Sequence, residues 1–176
     1  MEMIKYKVVL YIAMSLDGYI ARKDGSVDWL NDVKGDGADN GYDAFYKNIE
    51  VVIMGRNTYE EVLHLSEEFP YKGKKCIVLT QSKKMTNPHV IFTNEDIENL
   101  VSHLKAQANG DIWLVGGGEL VKSFMEKGLI EELQIAVIPK LLGDGISLFP
   151  KGIIPSTFSL QETEKMGDII SLKYKV

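Results

Sequence analysis

The 176-residue chain is poor in cysteine, histidine and basic charge. Its one cysteine, Cys76, excludes an internal disulfide and stands in the apolar run Cys76-Ile77-Val78-Leu79. A buried strand thiol is therefore expected rather than a nucleophile, which suits a reducing cytoplasm. His64, His89 and His103 are scattered, with no cysteine or carboxylate at ligand spacing, so no metal site is expected. The stretch Asp36 to Gly41 has the outline of a calcium loop. It lacks an oxygen ligand at Ala38 and carries Lys47 where the closing glutamate belongs. Twenty Lys and Arg against 25 Asp and Glu give a net charge of −5, and with no basic run a nucleic-acid partner is not expected. No apolar run approaches the roughly 20 residues that span a bilayer, so no membrane partner is expected either. Lys5 and Lys7 precede an apolar run in the manner of a signal peptide. Asp17-Gly18 ends that run without a small-residue cleavage pattern, so a first strand is the better reading.

What the chain does contain is 45% hydrophobic and 26% charged residues, an ordinary globular mix, with no repeat or linker. One domain over residues 1–176 is expected. Short apolar runs alternate with amphipathic stretches. Strands are expected at 6–14, 50–54, 75–80, 89–93, 111–115, 131–139, 156–164 and 168–175. Helices are expected at about 41–49, 58–65, 95–107 and 118–127, with Asn94 capping the third and Gly128 ending the fourth. The early strands are almost continuously apolar, the mark of strands covered on both faces. The pattern is that of an α/β fold with a mostly parallel sheet and, because no helix separates the last strands, an antiparallel C-terminal edge. Residues 15–38 form a loop long enough to serve as a lid.

Three segments carry chemistry. In Ile112-Trp113-Leu114-Val115-Gly116-Gly117-Gly118-Glu119-Leu120 a strand runs through three glycines into a helix, which lets a phosphate approach the main chain and the helix amides. The spacing is not G-x-G-x-x-G, which disfavours a Rossmann domain. In Met54-Gly55-Arg56-Asn57-Thr58-Tyr59-Glu60-Glu61 a strand again ends in glycine. Asn57 or Thr58 can cap the next helix, and Arg56 can reach a phosphate. Leu79-Thr80-Gln81-Ser82 ends a third strand in hydroxyls and an amide. All three lie at the carboxyl edge of the expected sheet, where open α/β sheets bind ligands.

With Ile12-Ala13-Met14-Ser15-Leu16-Asp17-Gly18-Tyr19-Ile20-Ala21 and Pro139-Lys140-Leu141-Leu142-Gly143-Asp144-Gly145, these motifs stand in the order seen in the dihydrofolate reductase-like superfamily. Among its branches the chain most resembles the riboflavin-biosynthesis reductases, the RibD C-terminal domain. That resemblance implies a three-layer sandwich of an eight-stranded sheet and four flanking helices, with NADPH as cofactor. It implies that Ala13 and Ile20 line the nicotinamide, with Gly18 beside them. Gly55, Arg56, Asn57 and Thr58 would hold the adenosine and pyrophosphate side. Leu79, Thr80, Gln81 and Ser82 would wrap the adenine, and Val115, Gly116, Gly117, Gly118, Glu119 and Leu120 would cradle the pyrophosphate. Arg56 would read the 2′-phosphate. Trp29 and Phe45 would face the substrate, and Asp39 or Asp43 would supply a proton with a pKa raised by burial, unless water does so. Ala136 stands where folate reductases carry a threonine, which weakens the case for folate. The resemblance thus implies an NADPH-dependent reductase of a pyrimidine- or pterin-like substrate, in the manner of 5-amino-6-(5-phosphoribosylamino)uracil reduction. A true dihydrofolate reductase and a non-catalytic nucleotide-binding module are the alternatives. Apolar residues in the loop 143–149 and the C-terminal strands, the region through which the reductases it resembles pair, point to a homodimer, and a cytoplasmic location is expected.

Overall fold

The computed structural model describes residues 5–176. Eight strands form one sheet: β1 (Val8–Ser15), β3 (Ile49–Gly55), β4 (Lys75–Leu79), β5 (Val90–Thr93), β6 (Asp111–Gly116), β7 (Glu132–Ile138), β9 (Ser159–Met166) and β10 (Ile169–Lys175). Their order is β5-β4-β3-β6-β1-β7-β10-β9. Pairing is parallel from β5 to β7 and antiparallel where β10 meets β7 and β9, as the absence of intervening helices requires. Four helices flank it: α1 (Tyr42–Tyr46), α2 (Arg56–Leu65), α3 (Ile97–Gln107) and α4 (Gly118–Glu126).

Alternate residues of the central strands serve opposite faces. Val8, Leu10, Ile53 and Leu114 pack with Leu100, Val101 and Leu104 of α3 and Val121 and Phe124 of α4. Val52, Met54, Cys76 and Trp113 pack on the other face with Tyr59 of α2 and, less deeply, Tyr42, Phe45 and Tyr46 of α1. Cys76 is buried, and burial pushes its thiol up to about 12, so it is the inert strand cysteine its neighbours suggest.

Several boundaries differ from the sequence-based expectation. The first helix is a five-residue segment, and α2 starts at Arg56 rather than two residues later. The third helix is capped by Asp96, not Asn94. Thr93 Oγ1 accepts the Glu95 N–H and prolongs the turn after β5, and the Asp96 carboxylate then takes the Asn99 N–H at 3.1 Å. Gly128 does end α4: at φ +64 it allows the Gly128 N–H to reach Met125 O and the Leu129 N–H to reach Phe124 O.

The long loop holds structure the sequence did not announce. Strand β2 (Tyr19–Ala21) pairs with β8 (Ile146–Ser147), and a single 3₁₀ turn covers Asp28–Leu30. The Asp17 carboxylate accepts from Ser15 Oγ at 2.6 Å, Gly143 N at 2.8 Å and Leu142 N at 3.2 Å, and these bonds hold it below its ordinary pKa. Lys140 donates to Trp29 O at 2.8 Å and pairs with Asp32. The loop is thereby tied to residues 140–148 and roofs the carboxyl edge of the sheet.

Candidate active site

Strand β6 sits between β1 and β3, and the chain diverges from this point to both sides of the sheet. Outside the carboxyl ends of these strands lies a cleft of about 600 Å³. It brings together Ala13, Ile20, Gly55, Arg56, Asn57, Thr58, Leu79, Val115, Gly116, Gly117, Gly118, Glu119 and Leu120. A second hollow of about 650 Å³ continues past Arg56, Leu79 and Leu120 to Thr80, Gln81 and Ser82. The cofactor-side residues named from sequence are thus neighbours in space, except Gly18. Gly18 makes the turn between β1 and β2 at φ +88, and its carbonyl accepts the Leu148 N–H at 3.0 Å.

Two helix N-termini open on this cleft, and neither has a side-chain cap. Gly55 precedes α2 and Gly117 precedes α4. The expectation that Asn57 or Thr58 caps α2 fails because both already lie inside its first turn. The contrast with α3, which has Asp96, is chemical: first-turn amides without a protein acceptor are available to an anion. Arg56 opens α2 and pairs through Nε with Glu60 Oε1 at 3.0 Å, which braces the guanidinium while its other nitrogens stay accessible.

The three glycines have three different reasons. Gly116 has φ +134, a conformation that side chains rarely adopt. A Cβ on Gly118 would overlap the main-chain oxygen of Ser147, so that glycine is required by the docking of β8. A Cβ on Gly117 would meet only Thr58 Oγ1 at 3.5 Å and Ile20 Cδ1 at 3.9 Å, ordinary contacts. The fold leaves room for a Cβ at Gly117, and that room is the floor of the cleft. An extended ligand with several phosphates fits this cradle.

Beyond Ile12 and Ala13 the cleft adjoins a narrower chamber of about 250 Å³. Tyr11, Ala13, Gln134, Ala136, Ile138, Ile169 and Ser171 form its floor and Leu30, Val33 and Asn40 its roof. Register explains the floor: Tyr11 lies opposite Gln134, and Ala13, Ala136 and Ser171 lie in one row across β1, β7 and β10. Tyr11 is the one titratable side chain in this lining, and burial, with the charges of Asp39 and Glu164, raises its pKa further above neutrality.

The residues named for substrate and proton are placed differently from the expectation. Trp29 is 3% exposed and packs with Ile138, Met166 and Ile169 behind the chamber wall. Phe45 stacks on Tyr11 at 3.8 Å between ring centroids and meets Trp113 edge-on at 5.4 Å, so it backs Tyr11 instead of facing the chamber. Asp39 is exposed and accepts the Asp43 N–H at 2.8 Å and the Gly41 N–H at 3.1 Å. Those amides hold its carboxyl below the usual range, the reverse of the raised pKa expected from burial. Asp43 is also exposed, and neither carboxylate lines the cleft or the chamber. Sequence reasoning missed Gln134 and Ser171. Each is a polar interruption in an apolar strand, Leu133-Gln134-Ile135 and Ile170-Ser171-Leu172, and that interruption is the signal that could have found them.

Residues 6–172 match the family described as RibD C-terminal domain. The chain belongs to this family. It is 45% identical over 169 residues to the uncharacterized protein YwjB of Bacillus subtilis (strain 168), covering 96% of this chain and 97% of that one. A Shewanella sp. PV-4 protein assigned by name to riboflavin biosynthesis shares 30% identity with a TM-score of 0.83, covering 96% and 98% of the two chains. A dihydrofolate reductase from Enterococcus faecalis complexed with NADP(H) superposes with a TM-score of 0.72 at 18% identity, over 98% of each chain. That likeness shows the fold: an eight-stranded, mostly parallel dihydrofolate reductase-like sheet with four helices. Among the described residues no helix is long and apolar enough to cross a membrane, and no cluster of His, Cys, Asp and Glu could hold a metal ion.

Proposed function

We propose that this RibD C-terminal domain protein is an NADPH-dependent reductase of a small nitrogen heterocycle, pyrimidine- or pterin-like. The observation that carries the reading is the bare position at Gly117: the fold tolerates a Cβ there, and two uncapped helix N-termini flank it. Gly55, Gly117 and the first turns of α2 and α4 would hold the pyrophosphate. Arg56 would take the 2′-phosphate, and Thr80, Gln81 and Ser82 the adenine end. Ala13 and Ile20 would border the nicotinamide. When bound, the cofactor supplies a hydride. The protein's own contribution is to orient both partners and exclude water across the small floor of Ala13 and Ala136.

The absence of a carboxylate in the chamber lining favours a pyrimidine over folate. It also makes solvent the source of the proton, since Tyr11 is a poor acid there. Asp39→Asn and Asp43→Asn should each leave the rate and pH profile of hydride transfer unchanged. The chain is further proposed to pair with a second copy through its C-terminal strands, where Leu160 and Ile170 are exposed. Loss of NADPH absorbance over a panel of pyrimidines and pterins tests the activity. Turnover with no member of the panel, despite bound cofactor, would favour a nucleotide-binding module, and a monomer in sedimentation would exclude the pairing.

A further inference from the structure

The chamber's polar groups are neutral, and one of them is held by charge. The Gln134 amide nitrogen donates to Glu132 Oε1 at 2.7 Å. Glu132 is itself buried, 7% exposed, and takes Lys7 Nζ at 2.6 Å and Lys173 Nζ at 3.4 Å. Burial opposes its charge, but the Lys7 and Gln134 hydrogen bonds and the two lysine charges prevail and keep it ionised. An ionised carboxylate only accepts hydrogen bonds, so the Gln134 NH₂ must face it and the carbonyl must face elsewhere. That carbonyl, Oε1, accepts no hydrogen bond from the described residues, and Gln134 lines the chamber.

The other polar groups there can all donate, the two hydroxyls as well as accept. Asn40 uses Oδ1 to accept the Asp36 N–H at 2.9 Å, which leaves its NH₂ as the spare group. The Tyr11 hydroxyl stays protonated, and Ser171 offers a hydroxyl. Ser171 lies diagonal to Gln134 across β7 and β10, roughly 7–8 Å away on the antiparallel ladder, the span of a heterocycle with its substituents. A ring here meets one fixed acceptor, Gln134 Oε1, among groups that can donate, with no carboxylate in the lining to pair directly with a protonated ring.

We propose that Gln134, oriented by Glu132, is the specificity-determining residue of the chamber. It selects an uncharged ring that presents an N–H between carbonyl groups and rejects the same ring bearing amines and a proton. This rests on the reductase reading for the identity of the chamber. Glu132 acts here as a positioning residue, since it lies outside the chamber lining.

The test uses two probes with one ring and opposite edges, uracil and 2,4-diaminopyrimidine. Each is titrated calorimetrically into the NADP⁺-saturated protein at a pH where the diamine is protonated. Uracil should bind at least tenfold more tightly. Gln134→Leu should lose tenfold or more of uracil affinity, and Gln134→Glu should reverse the order of the two probes. Glu132→Gln, which frees the amide to turn over, should weaken uracil binding without altering the chamber wall. All variants should keep NADP⁺ affinity and the wild-type circular dichroism. Preference for the diamine, binding of neither probe, or uracil affinity unmoved in Gln134→Leu would overturn the proposal. Failure of NADP⁺ itself to bind would overturn the reductase reading instead, and the order of the probes on the cofactor-free protein would still decide the role of Gln134. Should a variant not fold, the wild-type order and Glu132→Gln decide it.

Discussion

The cleft and the chamber meet at Ile12 and Ala13 but are made of different material. The cleft has a main-chain floor, with glycines at 55 and 116–118 and two helix starts without side-chain caps, between Arg56 and apolar walls such as Ile20, Val62 and Leu79. The chamber is side chain: Tyr11, Gln134 and Ser171 on three strands, under a roof supplied by a distant loop. A surface of backbone amides recognises what many ligands share, a phosphate. A surface of chosen side chains discriminates between rings. One domain can thus keep its cleft while exchanging its chamber, and the two halves call for different experiments.

The largest effect separates glycines that look alike in sequence. Gly118→Val should cost about 3 kcal/mol or more, the upper range for overpacking, because its side chain must displace the Ser147 main chain. Thermal unfolding by circular dichroism would show it, and a wild-type midpoint would mean that β8 docks differently.

Next is Arg56, proposed to hold the 2′-phosphate. Arg56→Ala should weaken NADPH binding by about 1.5–3 kcal/mol, the range for hydrogen bonds to a charged group, and leave NADH nearly unchanged. Titration of the two cofactors side by side checks this, and equal losses would remove Arg56 from the 2′-phosphate.

The smallest effect belongs to the chamber's support. Glu132 has its pKa lowered from an ordinary 4.5, so its contribution is present above that value and lost as pH falls below it. Lys7 has its pKa raised from 10.5, chiefly by the Glu132 hydrogen bond, so its contribution is present below that value and lost as pH rises above it. Wild-type stability should therefore fall at both limits, and Glu132→Gln should flatten both falls. Denaturant midpoints across pH would show this, and parallel profiles for the two proteins would contradict it.

The same contrast explains what was legible in the sequence. Continuous apolar runs such as Val51-Val52-Ile53-Met54 announce buried parallel strands, and Gly116-Gly117-Gly118 announces a strand that turns into a helix beside the cleft. These are local signals, and the cleft is assembled from them. The chamber depends on register: Gln134 faces Tyr11 only once β7 pairs with β1, and Ser171 joins only once β10 returns antiparallel. Trp29, Phe45, Asp39 and Asp43 lie elsewhere than expected because they belong to loops and a short helix, whose direction is set by tertiary ties such as Lys140 to Trp29 O and Asp32, and Phe45 on Tyr11. No local pattern encodes those ties.

The central claim is that the room above Gly117 belongs to a cofactor and not to the fold. Its most direct test is Gly117→Val, with NADPH affinity and thermal stability measured on the same preparation. Affinity should fall roughly a hundredfold, about 2.7 kcal/mol. The unfolding midpoint should move by less than about 4 °C, the shift that one kcal/mol makes in a chain of this size. A folded variant that binds NADPH as tightly as the wild type would contradict the account.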